Sequence, residues 1–241
     1  MRLNKYRGPG LAARLKLGRD KNPTVLSGPF KGLRYPTYGI GSEYFPKLLG
    51  TYELELHPTF EGLANTTFQD IIIVGAGEGY YVGGLARRFP SARIVCFEAD
   101  PDGQTAVAEM ALANEFSGRL DNRGFCEPAD LRAVLPESGR PLLVMDVEGG
   151  ERQLLDPEAI PALSRTVIVV EVHDCFEPGL DELLRQRFQA THHCEDILSQ
   201  PRTLDDTRGL PLSDDLRQRV LPLMNEGRPA RMRWFVLTPL A

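Results

Sequence analysis

The chain has 241 residues, of which 42% are hydrophobic and 25% are charged, and its net charge at pH 7 is −5. This length supports one large α/β domain or two small ones, with a substantial core, and it excludes a disulfide-stapled miniprotein. The composition excludes a disordered chain. The charge is unevenly distributed: residues 1–22 form a basic arm of net charge +6, which leaves −11 for the rest of the chain. An acidic body argues against nucleic-acid binding, because a phosphate backbone requires a basic face.

The sequence shows no pattern typical of export or membrane insertion. No apolar run approaches the ~20 residues that a membrane-spanning helix needs, and the basic start is not followed by the apolar stretch of a secretory signal. The four cysteines lack a CxxC spacing or a disulfide framework, so we expect reduced thiols and a cytoplasmic protein. We expect the basic arm to be a solvated terminus, with contact to phosphate or to an anionic membrane surface as the alternative.

The first part of the chain is predicted to be an N-terminal extension, residues 1–64. Residues 1–44 are rich in Gly, Pro and Tyr, which predicts irregular structure with a short strand or two. From Pro46 apolar residues recur at three- and four-residue steps, which predicts one amphipathic helix ending near Asn65. We interpret this extension as a cover for the acceptor site of the main domain, residues 65–241.

From residue 70, short apolar runs alternate with helical stretches. Continuous β-branched runs such as Ile71–Val74 and Val167–Val170 are typical of strands covered on both faces. The alternation predicts a doubly wound, mostly parallel sheet, whose ligands bind beyond the carboxyl ends of the strands. The predicted strands are Asp70–Val74, Arg93–Glu98, Leu120–Phe125, Pro141–Asp146, Arg165–Val172, His192–Leu198 and Met232–Thr238. The predicted helices are Tyr80–Phe89, Gly103–Phe116, Ala129–Leu135, Gly150–Leu155, Gly179–Phe188 and Asp214–Met224.

A glycine-rich loop follows the first predicted strand and consists of Gly75, Ala76, Gly77, Glu78 and Gly79. Alternate glycines let the backbone turn sharply and let a ligand approach the next helix, although a plain turn between strand and helix has the same composition. The GxGxG spacing lacks the third glycine of the dinucleotide fingerprint GxGxxG. The Glu78 carboxylate would repel a pyrophosphate and attract an amine and a sulfonium. The loop therefore favours S-adenosylmethionine over NAD as the cofactor.

The second predicted strand ends in Glu98, Ala99 and Asp100. An acidic residue about 20 positions after the glycines is well placed to accept hydrogen bonds from both hydroxyl groups of a ribose. The alternative is a solvated glutamate before a turn. We take Glu98 and Ala99 as cofactor-binding residues, with the adenine beyond Glu98.

Acidic residues and one histidine follow the fourth and fifth predicted strands. Asp146, Glu148 and Glu151 come directly after a buried strand, where carboxylates are costly unless they meet a cation, a metal or hydrogen-bond donors. Asp146 and Glu151 could instead stabilise the start of the next helix. His173 could act as a general base near neutral pH or be a structural histidine. The candidate catalytic residues are Asp146, Glu148 and His173, and Asp146 is also a candidate cofactor ligand.

Two kinds of metal site are weighed and neither is adopted. A zinc site would need His173, Cys175 and the run His192–Cys194, whose spacing matches no usual ligand pattern. A divalent cation held by Asp146, Glu171 or His173 is chemically more plausible, because hard oxygen ligands cluster there. We predict that the protein binds no metal.

Four stretches of the chain together resemble the FkbM-type methyltransferases, which are class I enzymes dependent on S-adenosylmethionine. These stretches are IIIVGAGEGYYVGGLA, VCFEADP, MDVEGGERQLLD and VVEVHD, and residues 49–53 upstream look like the lead-in of the family. The run from Asp146 to Glu151 is the most specific, because it is close to the family's D-x-E-G-x-E. The resemblance covers roughly residues 65–240.

The resemblance implies a seven-stranded, Rossmann-like class I methyltransferase fold with the last strand inserted antiparallel. It implies that Gly75, Gly77, Gly79 and Glu98 contact the cofactor and that Asp146 lies near its methyl end. The expected reaction is O-methylation of a hydroxyl on a small molecule, glycan or polyketide-type metabolite. An NAD-binding Rossmann oxidoreductase and a non-catalytic cofactor-binding module are the alternatives. The sequence identifies neither the methyl acceptor nor the oligomeric state, and a homo-oligomer is possible.

Overall fold

The computed structural model describes residues 23–40, 42–228 and 230–240 of the chain. The basic arm lies outside these residues, so its interpretation stays a prediction. The strands of the described part belong to one sheet. They are β1 (Asp70–Val74), β2 (Arg93–Phe97), β3 (Leu120–Arg123), β4 (Leu142–Met145), β5 (Val167–Val172), β6 (His192–Leu198) and β7 (Arg233–Pro239).

The order of the strands across the sheet is β3-β2-β1-β4-β5-β7-β6. Neighbouring strands from β3 to β5 run parallel, and β7 lies antiparallel between β5 and β6. The prediction of a doubly wound, mostly parallel seven-stranded sheet is therefore confirmed, including the antiparallel last strand that the resemblance implies. The chain places β2 and β3 on one side of β1 and β4 on the other, so the winding reverses between β1 and β4.

Helices cover the sheet, and from residue 70 each predicted helix is present with bounds shifted by a few residues. Within the described residues, none of the helices is both long and apolar enough to cross a bilayer. The α-helices are α1 (Tyr44–Leu49), α2 (His57–Leu63), α3 (Tyr80–Arg88), α4 (Pro101–Ala113), α5 (Pro128–Val134), α6 (Glu151–Leu154), α7 (Leu180–Phe188) and α8 (Asp214–Val220). Short 3-10 helices lie at Leu54–Leu56, Ser117–Arg119, Pro161–Arg165, Asp205–Thr207 and Leu221–Met224.

The single helix expected from Pro46 to Asn65 is wrong, because the structure has the two helices α1 and α2 there. Gly50 ends α1 with a φ of 75°, and Glu53 has a φ of 48°. A positive φ ends the regular helical path, and glycine adopts it without steric cost. The apolar residues that recur at helical spacing therefore lie on two short helices separated by a turn.

The sheet separates two hydrophobic cores, because successive side chains of a strand point to opposite faces. In β1, Ile71 and Ile73 belong to one core and Ile72 and Val74 to the other. The burial of a large apolar side chain contributes about 1.5–3 kcal/mol, so the described part of the N-terminal extension is firmly attached to the first core. It enters that core through Val25, Phe30, Leu33 and Tyr35.

Candidate functional site

A cleft of about 830 Å³ opens at the carboxyl ends of β1, β2 and β4. It lies where the winding of the sheet reverses, which is the usual position of ligand sites in open α/β sheets. The glycine loop (Gly75–Gly79) follows β1 in this cleft, and Glu98 and Asp146 follow the two neighbouring strands. The N-terminal extension contributes Ile40, Ser42, Lys47 and Tyr52 to the lining.

The path of the glycine loop depends on backbone torsions that glycine tolerates. Gly75, Gly77 and Gly79 have φ values of 84°, 52° and 96°, in the left-handed region that other residues rarely adopt. At Gly75 a β-carbon would lie 1.7 Å from the carbonyl oxygen of Asp146. The loop backbone therefore packs directly on the chain that leaves β4, and this close approach requires glycine.

The glycine loop uses most of its amide groups inside the protein. Gly75 and Ala76 donate to the carbonyl that ends β2 at 3.0 and 3.1 Å, and Gly79 donates to Ala76 at 2.8 Å. Gly77 donates to Oε2 of Glu98 at 2.6 Å. Dinucleotide-binding loops offer such amides to a pyrophosphate. These four amides already have partners, so the loop is poorly suited to that group.

Glu98 stands directly after β2, and two backbone amides hold its carboxylate. Oε2 accepts from Gly77 at 2.6 Å, and Oε1 accepts from Asp100 at 2.9 Å. Each carboxylate oxygen has a further lone pair, and the side chain lines the cleft beside Ala99. Glu98 thus presents an oriented acceptor at the position predicted for the ribose, and the contact itself stays a prediction.

Glu78 belongs to the glycine loop, but its side chain does not line the cleft. It is completely buried, and its carboxylate accepts from the Tyr35 hydroxyl at 2.7 Å, the Lys47 ammonium at 2.7 Å and the Ile40 amide at 3.3 Å. All three donors belong to the N-terminal extension. The expectation that Glu78 meets the positive charge of a cofactor is therefore corrected: Lys47 neutralises this carboxylate, which fixes the extension to the loop.

Carboxylates at the ends of β4 and β5 surround His173. The sequence predicts these residues at the same edge of the sheet. Nδ1 of His173 donates to Oε1 of Glu151 at 2.5 Å, while Nε2 lies 3.5 Å from Asp146 and 3.7 Å from Glu171. Glu151 is fully buried and also accepts from the Gly149 amide at 2.9 Å. Glu151 thus orients His173, a role that its spacing in the D-x-E-G-x-E run could have suggested.

His173 is badly placed to act as a general base. Its side chain is only 3% exposed, and it is not part of the cleft lining. Burial by itself lowers the pKa of His173, but the hydrogen bond to Glu151 and the charge of Asp146 outweigh burial, so the pKa is raised. A protonated imidazole has no lone pair to accept a further proton. Asp146, which does line the cleft, is the better placed of the two.

Glu148 is the third candidate catalytic residue, and it lies exposed on the loop after β4 with a φ of 51°. Its side chain lines the cleft. In the described part of the chain, nothing donates a hydrogen bond to its carboxylate, so no contact fixes its orientation. Because catalysis depends on orientation, Glu148 is less suited to a catalytic role than Asp146.

A second group of buried charges adjoins this cluster, and no pattern in the sequence predicts it. Arg228 donates to Glu53, to Glu171 and, at 2.8 Å, to Glu226. The hydroxyl of Tyr81 also donates to Glu53. Glu53 and Arg228 are 175 positions apart, so no local pattern could pair them. The network joins the N-terminal extension, the end of β5 and the segment before β7 beside the cleft.

The buried Glu171 predicts a specific dependence of stability on pH. Burial raises the pKa of Glu171 to about 10, the charge of Asp146 adds to this effect, and Arg228 opposes it. An unfolded glutamate releases its proton near about pH 4.3, so between these values the folded state binds more protons and stability falls as pH rises. We expect Glu171→Gln to remove this contribution, which is at most about 1.4 kcal/mol per pH unit.

Urea unfolding between about pH 5 and pH 9 measures this difference as the slope of the unfolding free energy against pH. The exposed Glu137→Gln is the matched control and should keep the slope of the unmodified protein. Parallel curves for Glu171→Gln and the unmodified protein would contradict the raised pKa.

Asp146, Glu171 and His173 offer ligand atoms within 4.8 Å of one another, a spacing that a divalent cation could bridge. Arg228 donates to Glu171, and His173 lies beside Asp146. These acidic groups therefore already have partners within the protein, and their arrangement does not require a metal. The zinc set is not assembled in residues 23–40, 42–228 and 230–240, and Nε2 of His192 lies 2.9 Å from a backbone carbonyl. The absence of a bound metal stays a prediction.

No family model and no curated relative matches the chain. Among solved structures, it is similar to the O-methyltransferase TomG from Streptomyces achromogenes in complex with S-adenosylmethionine, with 16% identity, a TM-score of 0.46, and 80% of this chain and 79% of that chain covered. It is also similar to the O-methyltransferase from Bacillus cereus in complex with S-adenosylhomocysteine, with 12% identity, a TM-score of 0.46, and 74% of this chain and 78% of that chain covered. A third similar structure is the C-terminal domain of precorrin-6Y C5,15-methyltransferase from Rhodobacter capsulatus, with 14% identity, a TM-score of 0.48, and 76% of this chain and 87% of that chain covered. At this level of similarity the matches carry no inference about function, which has to come from the residues of the site.

Proposed function

We propose that the protein is an S-adenosylmethionine-dependent methyltransferase that acts on a hydroxyl group of a small molecule or glycan. The observation that carries this proposal is an acidic cleft whose glycine loop uses its amides internally. Carboxylates attract the sulfonium and ammonium groups of this cofactor, whereas a pyrophosphate would be repelled and would find those amides occupied. The acidic residues of the lining are Glu98, Asp100, Glu127, Asp146 and Glu148.

The residues of the cleft fit this cofactor. Glu98 would accept hydrogen bonds from the ribose hydroxyls, and Ala99 would lie beside the adenine. The backbone of Gly75, Ala76 and Gly77 would lie against the amino-acid end, and Gly79 directly precedes α3 behind it. When bound, S-adenosylmethionine supplies a methyl group on a sulfonium, and the electron pair of the broken carbon–sulfur bond stays on sulfur.

The remaining steps belong to the chain's own side chains. Asp146 faces the cleft, where its carboxylate can take the proton of an acceptor hydroxyl as the new oxygen–carbon bond forms. His173 lies behind Asp146, and Glu151 holds His173. The carboxylate is therefore oriented before an acceptor binds, which lowers the entropic cost of the reaction.

Three finer assignments belong to this proposal. The assignment to the FkbM type is supported by Asp146 and Glu151, the first and last residues of the D-x-E-G-x-E run. Both side chains lie against His173. A covering role for residues 1–64 is supported by the residues that the extension adds to the cleft lining. A cytoplasmic location is supported by the free thiols of the four cysteines.

The two alternatives fit the site less well. An NAD-dependent oxidoreductase would use Glu98 equally well, but the occupied amides and the acidic lining oppose its pyrophosphate. A non-catalytic module would bind the cofactor without an oriented base in the cleft. The arrangement of Asp146, His173 and Glu151 favours an enzyme.

Binding calorimetry with S-adenosylhomocysteine and with NAD tests the proposal. We expect the unmodified protein to bind S-adenosylhomocysteine and not NAD. Glu98→Gln should weaken this binding about 10- to 100-fold, because the carboxylate makes charge-assisted hydrogen bonds that an amide does not. The exposed Glu137→Gln should bind like the unmodified protein. Binding of NAD in preference to S-adenosylhomocysteine would contradict the proposed cofactor.

A further inference from the structure

One residue of the cleft differs in charge from all the others. Among the described residues of the lining, Lys47 has the only positively charged side chain, opposite five carboxylates. It comes from α1 of the N-terminal extension, and its side chain is 6% exposed. A buried ammonium is costly unless it is paired, so its contacts indicate what it can bind.

The contacts of Lys47 hold its ammonium group in place and leave one of its three N–H donors without a hydrogen-bond acceptor among the described residues. Nζ donates to Ser42 Oγ at 2.5 Å and to Glu78 Oε1 at 2.7 Å, and it lies 4.9 Å from the ring centre of Tyr52. An ammonium has three N–H donors. In the described part of the chain, the third donor has no oxygen or nitrogen partner, and Lys47 and Tyr52 both line the cleft.

The position of Lys47 along the glycine loop relates it to one end of the cofactor. Glu98 contacts the loop at Gly77, and Lys47 contacts it at the next residue, Glu78. Glu98 and Lys47 line the same cleft, so a cofactor whose ribose lies at Glu98 can place its amino-acid end at Lys47. The α-carboxylate at that end is the only negative charge of S-adenosylmethionine, and it needs a cation in a cleft that is otherwise acidic.

We propose that Lys47 binds the α-carboxylate of the methionine portion of the cofactor, with Glu78 and Ser42 holding the ammonium in position. This inference rests on the proposed function and adds a binding residue that the sequence did not suggest. It also explains why a carboxylate is present inside the glycine loop. Glu78 does not contact the cofactor, but it holds the lysine that does.

Removal of the carboxylate from the ligand and of the ammonium from the protein tests this contact. The two probes are S-adenosylhomocysteine and its analogue with hydrogen in place of the α-carboxylate, and calorimetry gives the Kd of each. We expect the unmodified protein to prefer S-adenosylhomocysteine by about 10- to 100-fold. Lys47→Met should bind both ligands equally, with an affinity close to that of the unmodified protein for the analogue.

Two further variants separate the contact from a general loss of structure. Lys47→Met leaves Glu78 buried without its cation, so the double variant Lys47→Met/Glu78→Gln is measured as well and should also bind both ligands equally. Lys31→Met removes an exposed lysine of the same extension. It should keep the full preference of the unmodified protein.

Each other outcome overturns the proposal in a recognisable way. If both Lys47 variants keep the preference for S-adenosylhomocysteine, the carboxylate binds elsewhere and the proposed function stands. If the variants keep this preference but bind both ligands more weakly, Lys47 shapes the cleft without contacting the carboxylate. If the unmodified protein binds neither ligand, the proposed function itself fails.

Discussion

Asp146→Asn is expected to lower kcat about 100-fold or more, because an amide cannot take the proton of an acceptor hydroxyl and proton transfer contributes at least this much. The variant has nearly the same shape, so the contact with His173 and the fold should persist. Binding of S-adenosylhomocysteine should change far less than turnover. The acceptor for the assay comes from screening hydroxylated metabolites with methyl-labelled S-adenosylmethionine.

The exposed Asp205→Asn is the matched control for this variant, because it makes the same chemical change outside the cleft. It should keep the kcat and melting temperature of the unmodified protein. If Asp146→Asn retains most of its kcat, Asp146 is not the proton acceptor, and Glu148 becomes the candidate to test. A fall in melting temperature that accounts for the lost turnover would also contradict the assigned role.

Gly75→Ala is expected to destabilise the folded protein by about 2–6 kcal/mol, because overpacking and a strained backbone each cost about 1–3 kcal/mol. The new β-carbon would lie 1.7 Å from the Asp146 carbonyl oxygen, at a φ of 84°. Both facts force the glycine loop away from the chain that leaves β4. Because those two segments form the centre of the cleft, cofactor binding should be lost together with stability.

Gly62→Ala provides the comparison for this second variant. Gly62 lies in α2, and a β-carbon there would meet nothing within 4 Å. Alanine should therefore stabilise that helix by about 0.5–1 kcal/mol. Urea unfolding of both variants measures the two changes, and a Gly75→Ala protein as stable as the unmodified one would show that the close approach is not maintained in solution.

The sheet is predictable because strands that are buried on both faces consist of consecutive apolar residues. Strands such as Ile71–Val74 must be apolar at every position, and the helices between them carry the remaining pattern. The predicted single helix before residue 65 failed for an equally physical reason. Positive φ values at Gly50 and Glu53 interrupt the chain, and apolar spacing does not record backbone torsion.

The location of the site was also predictable, because parallel strands bring their carboxyl ends to one edge of the sheet. Glu98 and Asp146 follow strands that flank β1, and both line the cleft. The orientation of side chains was not predictable. The sequence predicts Glu78 in the cleft, whereas the structure buries it against Lys47. The sequence also offers His173 as a base, whereas the structure surrounds it with carboxyl groups.

The sequence alone determined the class of fold, the order of its elements and the edge of the sheet at which the candidate site lies. These properties follow from local patterns of apolar and glycine residues, which act within one strand, one helix or one turn. Only the tertiary structure decided which charges pair, because Lys47 with Glu78 and Glu53 with Arg228 are distant in sequence. Attraction between opposite charges is stronger in the protein interior than in water, so the chemical role of each carboxylate in this acidic body depends on partners that packing alone brings together.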